Sequence, residues 1–222
     1  MIPLSDDQPI RTLPIATLLL ISINAYVFIG WQLQVGVAQS VALAGFIPSE
    51  FTRGTSGAMT DMITSMFMHG GWLHLIGNMW FLWVFGRSVE NACGFFRFLA
   101  FYLLSGAAAT WAYAWFSPDT TIPLVGASGA ISGVLGAYFL RNPRARILTL
   151  IPFGIFTRII TVPAWFFLLF WIGLQVFWQL VESSAQGHKT GGVAYLAHIG
   201  GFIAGMGLIF FFERPNPRSK SA

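Results

Sequence analysis

The chain alternates between long apolar runs and short polar connections, and this pattern predicts helices that span a membrane. Roughly 20 apolar residues cross about 30 Å of hydrocarbon. Five runs approach or meet that length: Leu13–Trp31, Trp72–Val89, Phe95–Phe116, Ile159–Val181 and Gly192–Phe212. A sixth run, from about Ser128 to Leu140, is shorter. The runs are continuous, unlike the alternating strands of a barrel, so every span is expected to be a helix.

The long connection after the first run carries an amphipathic pattern of its own. Met59, Met62, Ile63 and Met66 recur at helical spacing. In this setting the pattern predicts a short helix in the outer membrane interface. The expected fold is therefore an all-α membrane protein, a six-transmembrane-helix bundle with a long first outside loop that carries an interfacial helix.

Composition agrees with a lipid environment. Hydrophobic residues make up 55% of the 222 and charged residues only 9%, whereas soluble domains are about a quarter charged. The net charge of +4 does not indicate nucleic-acid binding, because the basic residues lie between apolar segments. A single cysteine, Cys93, excludes an internal disulfide. We divide the chain into a short N-terminal segment (1–12), a membrane domain (13–212) and a polar tail (213–222).

The charges of the connecting loops predict an orientation. Six spans would place ten of the twelve Lys and Arg residues on the side of the N-terminus, and only Arg53 and Lys189 on the other. Because cytoplasmic loops carry the excess of positive charge, both termini are predicted to face the cytoplasm. Without the short run the last loops would fall on the wrong sides, so that run is counted as a span.

Three polar sites inside the runs could carry chemistry, and one of them is Ser128, in Gly126-Ala127-Ser128-Gly129. Polar side chains within spans are costly, so each needs an explanation. The fourth run rises only about 20 Å, so Ser128 is expected below the outer surface. It begins a helix whose free N–H groups favour negative charge. The alternative is helix packing, because Gly129 and Gly133 belong to a small-residue stripe.

The second polar group is His198, the only residue among the Asp, Glu, Lys, Arg and His types between Gly192 and Phe212. Ala197, Gly201 and Gly205 form a small-residue stripe beside it, so the sixth helix can approach a small-faced neighbour closely. A lone histidine in a core is usually only hydrogen-bonded. Here, however, the serine and the histidine lie on two helices that are both suited to close contact.

The third polar group is His74 with Asn78, four residues apart on one face of the second span. Both side chains can donate hydrogen bonds and together suit stabilisation of an oxyanion. A structural pair between helices is the alternative. No third ligand with suitable spacing accompanies them, so neither a metal site nor a cofactor is predicted. His69 and His188 are interpreted as loop residues without a catalytic role.

The predicted topology places these groups at one depth. Spans two, four and six all begin outside, and His74, Ser128 and His198 lie within about two turns of those beginnings. This agreement favours catalysis over packing. No Asp or Glu is placed to orient His198, so a Ser–His dyad is expected rather than a triad. A small transporter or channel is the alternative of another class, but it would need acidic residues well inside the spans.

In this order and in these spans, the motifs resemble the rhomboid family of intramembrane serine proteases. The resemblance covers nearly the whole chain and rests on His74-x-x-x-Asn78, Gly126-x-Ser128-Gly129 and His198-x-x-Gly201-x-x-x-Gly205. It implies that Ser128 attacks the scissile carbonyl and that His198 accepts and returns the proton. The Ser128 backbone N–H, His74 and Asn78 would hold the oxyanion. The implied substrates are single-span membrane proteins, and the implied location is the bacterial cytoplasmic membrane.

The chain departs from the family pattern in two places. Some members carry a Trp-Arg pair in the first outside loop, which is missing here, and some carry a tyrosine where this chain has Ser132. In those members the tyrosine stacks on the catalytic histidine, so the sequence does not identify the residue that packs against His198. The resemblance also implies that substrates enter laterally, near spans two and five. The aromatics there are interpreted mainly as lipid contacts: Trp165, Phe166, Phe167, Phe170 and Trp171. The alternative function is an inactive rhomboid-like protein that binds membrane clients.

Overall fold

The computed structural model describes residues 1–153, 156–184 and 193–214 and shows a mostly helical chain with one small sheet. The helices are α1 (Ile15–Val35), α2 (Val37–Ala44), α3 (Pro48–Thr52), α4 (Ala58–Thr64), α5 (the consecutive segments Trp72–Phe81, Leu82–Gly86 and Arg87–Cys93), α6 (Phe95–Phe116), α7 (Ser128–Arg141), α8 (Ala164–Ser184) and α9 (Tyr195–Phe212). The strands are β1 (Ile2–Asp6), β2 (Arg146–Phe153) and β3 (Phe156–Pro163).

Each of the six predicted runs contains a helix. Within the described residues, four helices are long and apolar enough to cross a membrane by length and composition, namely α1, α6, α8 and α9. The second run forms α5, whose middle segment Leu82–Gly86 is π-helical. The short run forms α7, with 14 residues. The framework is that of a multi-pass helical membrane protein.

The sheet is a correction to the expected all-α fold. Strand β2 lies in the middle and pairs antiparallel with both β1 and β3. Alternate residues of β2 face the core, where the side chains of Ile147 and Thr149 are fully buried. The prediction left β1 in the N-terminal segment and β2 in a connecting loop, and it assigned the end of β3 to the fifth span. A short apolar run cannot be assigned to a strand or a helix by its hydrophobicity alone.

The same strand moves the start of the fifth predicted span. We expected that span to begin at Ile159, but Ile159 lies in β3 and α8 begins at Ala164. β-Branched residues fill 159–162 and favour a strand, while Pro163 fits just before the first helical turn. The junction is held by two backbone bonds, from Ala164 N–H to the Ala145 carbonyl (2.8 Å) and from Trp165 N–H to the Pro143 carbonyl (3.0 Å).

Asp6, at the end of β1, ties the sheet to the helices. Its carboxylate accepts hydrogen bonds from Arg87 Nη2 (2.7 Å), Ser88 Oγ (2.6 Å) and Tyr138 Oη (2.8 Å). Arg87 and Ser88 lie on α5, and Tyr138 lies on α7. The buried carboxylate is therefore compensated by an ion pair and two hydroxyl donors, as a charge removed from water requires.

Glycine contacts bring α7 and α9 together at backbone distance. A Cβ atom at Gly201 would collide with the carbonyl oxygen of Gly129, and one at Gly205 would collide with that of Gly133. This is the close approach that the small-residue stripes predict. It matters for function because Ser128 and His198 lie on these two helices.

The amphipathic pattern in the first loop forms α4 and the 3₁₀ turn Ser65–Phe67 after it. Met62 and Met66 are buried against the bundle, whereas Met59 is 68% exposed and Ile63 39% exposed. The helix thus has an inner and an outer apolar side. His188 and residues 215–222 of the tail lie outside the described part of the chain.

Candidate active site

Ser128 begins α7, and the loop before it is held inside the protein. Phe46 and Leu124 exchange two backbone hydrogen bonds, of 3.0 and 2.7 Å, which anchor the loop to the segment after α2. Gly126 N–H then donates to the Ser65 carbonyl at 2.9 Å. The φ angle of Gly126 is +122°, a conformation that favours glycine. These contacts fix the position from which the chain enters the helix at Ser128.

His198 lies in the first turns of α9, opposite Ser128. Its Nε2 atom is 2.8 Å from Ser128 Oγ, a hydrogen-bond distance. The histidine side chain is buried and Ser128 is half-buried. Two residues 70 positions apart in the chain therefore form the hydroxyl–imidazole contact that the sequence leads us to expect.

His74 and Asn78 project from α5 toward the same loop. A Cβ atom at Gly126 would be 2.6 Å from His74 Nε2 and 3.5 Å from Asn78 Nδ2, so both nitrogens lie beside the residue that precedes Ala127 and Ser128. His74 Nδ1 accepts a bond from Gly70 N–H at 3.3 Å. Its Nε2 therefore carries the proton in the neutral ring and is a donor. Asn78 Nδ2 is buried without a hydrogen-bond partner among the described residues.

Two side chains of α8 complete the surroundings of His198, and sequence reasoning missed this role for both. Gln175 Oε1 lies 2.8 Å from His198 Nδ1. The Trp171 ring lies against the imidazole, with centroids 5.9 Å apart. One signal was available in the sequence, because Gln175 is an amide inside an apolar span and such groups need an explanation.

The other aromatics of α8 divide between core and surface. Trp165, Phe166 and Phe170 are 43–46% exposed, which agrees with contact to lipid. Phe167 is 2% exposed and packs in the core near Phe85. Ser132, which replaces the family's tyrosine, is buried and donates its hydroxyl to the Ser128 carbonyl at 2.6 Å. The aromatic ring that lies against His198 thus comes from α8 instead of α7.

A cleft of about 970 Å³ opens beside the serine. Apolar side chains form most of its wall, and Ser128, His198, His74 and Asn78 converge on it. Glu182, in the last turn of α8, lines the same cleft. A cavity of this size with few convergent polar groups has the character of a binding site. No group of three potential metal ligands occurs in the part of the chain that the structure describes.

His69 is a loop residue, as expected, but it is fully buried. Its ring lies 5.2 Å from that of His74, nearly perpendicular to it. Desolvation, together with the nearby His74, lowers the pKa of His69 to about 3, against a weaker opposing effect of the Phe67 backbone. The Gln32 side chain brackets the His69 backbone, accepting from its N–H at 2.8 Å and donating to its carbonyl at 3.0 Å. His69 therefore supports the loop that leads into α5.

The apolar helices and the internal serine–histidine pair define a multi-pass integral membrane protein with a hydrolase-like pair inside its bundle. Comparison with known proteins identifies the family, because a family model described as the Rhomboid domain matches residues 56–215. The chain belongs to the rhomboid family. The resemblance stated from the motifs is thus confirmed.

The relatives include named proteases. The chain is 35% identical over 157 residues to Rhomboid-like protease 5 of Toxoplasma gondii. The alignment covers 68% of this chain and 16% of that protein. It is 32% identical over 195 residues to Rhomboid protease GluP of Bacillus subtilis, covering 86% of this chain and 34% of the relative. Presenilin-associated rhomboid-like protein A, mitochondrial, of Danio rerio is 30% identical over 138 residues. That alignment covers 60% of this chain and 34% of the relative. The chain thus spans between 16% and 34% of the length of these relatives.

Proposed function

We propose that the chain is an intramembrane serine endopeptidase in which Ser128 is the nucleophile and His198 its base. The observation that carries this proposal is the 2.8 Å contact between Ser128 Oγ and His198 Nε2 at the wall of the cleft. A nucleophile and a base within hydrogen-bond reach are the signature of covalent acyl transfer. Family membership and the named protease relatives support the same reaction class.

Acylation follows from this geometry. Ser128 Oγ attacks the carbonyl carbon of the scissile peptide while its proton passes to His198 Nε2. The carbonyl π electrons move to oxygen, which becomes a tetrahedral oxyanion. When the oxyanion collapses, the C–N bond breaks and the leaving amine takes the proton from His198. The acyl group remains on Ser128 as an ester.

Deacylation reverses the roles. A water molecule gives a proton to His198 Nε2 and attacks the ester carbonyl, and the second tetrahedral intermediate releases Ser128 with that proton returned. In both halves the negative oxygen would accept hydrogen bonds from His74 Nε2, Asn78 Nδ2 and the Ser128 backbone N–H. Donors placed in advance around a developing oxyanion supply a large part of the rate enhancement. Asn78 Nδ2, which has no hydrogen-bond partner among the described residues, supports this assignment.

The membrane arrangement completes the proposal. Six spans within 13–212 would leave 1–12 and 213–222 on the cytoplasmic side, which agrees with the distribution of Lys and Arg. Helix α4 would then lie in the outer interface, and its exposed residues Met59 and Ile63 would face lipid. The proposed location is the bacterial cytoplasmic membrane.

The substrates proposed are single-span membrane proteins, and the proposed reaction uses neither a metal nor a nucleic acid. A peptide entering the cleft from the bilayer would meet mostly apolar walls and a few polar groups at the serine. The second candidate is an inactive rhomboid-like protein that binds membrane clients. Such a protein needs no hydroxyl–imidazole contact, so the Ser128–His198 geometry favours the enzyme.

The test uses an active-site probe and a single-span substrate with the purified full chain in liposomes. Wild type should react with a fluorophosphonate and cleave the substrate, and Ser128→Ala should do neither. Ser22→Ala, which changes an exposed serine of α1, is the matched control and should behave as wild type. Equal labelling of wild type and Ser128→Ala, or no labelling of folded wild type, would contradict the proposal.

A further inference from the structure

The imidazole of His198 is held through both of its nitrogens. Nε2 faces Ser128 Oγ at 2.8 Å, and Nδ1 faces Gln175 Oε1 at 2.8 Å. The three side chains come from α7, α8 and α9. Within the described part of the chain no carboxylate takes part in this array. The second nitrogen of His198 meets a neutral amide where a serine hydrolase with a triad would have an acid.

The orientation of the Gln175 amide follows from its second contact. Its Nε2 donates to the Trp171 carbonyl, one turn earlier in α8, at 3.3 Å. Amide oxygen and nitrogen are assigned from their partners, and this donor contact leaves Oε1 as the atom that faces His198. An amide oxygen accepts but cannot donate. The proton on the neutral imidazole must therefore be on Nδ1.

This tautomer is the one that the reaction needs. With Nδ1 protonated, His198 Nε2 has a free lone pair directed at Ser128 Oγ and can accept its proton. With the other tautomer, Nε2–H would point at the hydroxyl and no base would be available. A histidine ring with one nitrogen bonded to a fixed acceptor is held in both tautomer and orientation.

We propose that Gln175 is a positioning residue, which sets the tautomer and the ring orientation of His198 and so keeps its base nitrogen directed at Ser128. This assignment rests on the proposed protease function. Gln175 does not touch the substrate atoms in this scheme. Its action passes entirely through His198.

The first experiment compares two substitutions at the same position. Gln175→Met keeps the length of the side chain but removes the acceptor, and kcat should fall at least about 10-fold with KM little changed, because general-base function is impaired after binding. Gln175→Glu restores an acceptor and should recover activity relative to Gln175→Met. Its carboxylate would stabilise the imidazolium, so the acid limb of the pH–rate profile should move to higher pH. The other titratable side chains that line the cleft are unchanged: His74, Tyr113, Glu182 and Tyr195.

Gly173→Ala is the matched control on the same helix. A Cβ atom there meets nothing within 4 Å, so this variant should keep the wild-type kcat and pH profile. A kcat for Gln175→Met equal to wild type, or no difference between Gln175→Met and Gln175→Glu in either kcat or pH profile, would overturn the role of Gln175.

The second experiment reads the tautomer without turnover. Nitrogen NMR of ring-labelled histidine should show His198 with Nδ1 protonated in wild type and a changed tautomer population in Gln175→Met. This readout separates two failures. If folded wild type neither labels nor cleaves, the proposed function is wrong. If wild type is active while Gln175→Met keeps both its kcat and its His198 tautomer, only the positioning role is wrong.

Discussion

Trp171 lies against His198, with ring centroids 5.9 Å apart and ring planes inclined by 33°. The indole centroid also lies 6.3 Å from that of the Phe202 ring, so Trp171 contacts two residues of α9, His198 and Phe202. Because the tilted indole lies against the imidazole, we expect it to limit rotation of that ring. Helix α8 supplies the aromatic contact that some rhomboids build from the helix of the serine.

Removing this ring should impair the base. We expect Trp171→Ala to lower kcat about 10-fold, less than the roughly 10²–10⁴-fold that a general base contributes as a whole, because the imidazole itself is kept. Trp171→Phe should keep most of the activity. Phe170→Ala, which removes an exposed aromatic from the adjacent position, is the control and should leave kcat unchanged. Steady-state kinetics in liposomes measure the difference. Equal rates for Trp171→Ala and Phe170→Ala would contradict the role of the indole.

Asn78 should contribute to the transition state more than to binding. Its buried Nδ2 has no partner in the described part of the chain and lies beside the loop that leads to Ser128. Asn78→Ala should therefore reduce kcat by about 10² with a small change in KM, as for loss of one oxyanion donor. Full activity of the purified variant would remove Asn78 from the oxyanion site. Thermal unfolding of the same sample in detergent shows whether the protein is folded.

Close contact between α7 and α9 should be sensitive to a single methyl group. Gly205→Ala would collide with the Gly133 backbone, which cannot move aside as a side chain can. We expect a loss of about 1–3 kcal/mol in stability, as for overpacked cores, and a fall in activity as Ser128 and His198 separate. Gly207→Ala on the same helix meets nothing within 4 Å and should melt as wild type does. Thermal unfolding in detergent compares the two, and equal melting temperatures would refute the packing argument.

Stability should fall as the pH drops, in part through His69. The pKa of His69 is lowered to about 3 in the folded chain by burial, with a contribution from His74, whereas an unfolded histidine titrates near 6.5. Below pH 6.5 the unfolded state binds a proton that the folded state does not, so stability decreases from about pH 6.5 down to about pH 3. The loss is at most about 1.4 kcal/mol per pH unit for one group.

The variant His69→Phe isolates this contribution. It removes the titration and leaves the backbone contacts of position 69 with Gln32 available. Between pH 7.5 and pH 5, its melting temperature should change less than that of wild type. The two proteins differ only at position 69, so the difference between their slopes of melting temperature against pH reports His69. Identical slopes would show that His69 does not contribute to the pH dependence.

The sequence predicts much of this architecture because lipid imposes strong constraints. Runs of about 20 apolar residues, small-residue stripes and polar groups inside spans are visible in the chain itself. The apolar runs predict the helices. The stripes and the polar groups predict that a serine and a histidine lie on two helices that contact each other. The structure places Ser128 Oγ and His198 Nε2 at 2.8 Å. Their catalytic roles stay predictions.

The contributions of α8 and of the sheet could not be obtained in the same way. Gln175 and Gln179 lie four residues apart on one face of an apolar helix. Which of the two amides meets His198 is decided by the position of α8 along its axis relative to α9, which tertiary packing sets and the sequence does not display. Strand β3 was missed because its apolar run continues into α8 without a polar break.

The junction between β3 and α8 has a mechanical consequence. Backbone bonds of Ala164 and Trp165 clamp the first turn of α8, so any swing of this helix pivots there. Gln175 lies about 17 Å along the axis from that pivot. A tilt of about 5° would carry its amide roughly 1.5 Å. A shift of that size along the 2.8 Å contact with His198 would break the hydrogen bond. In the proposed mechanism the alignment of His198 with Ser128 would therefore depend on the tilt of α8, a helix that supplies neither the nucleophile nor the base.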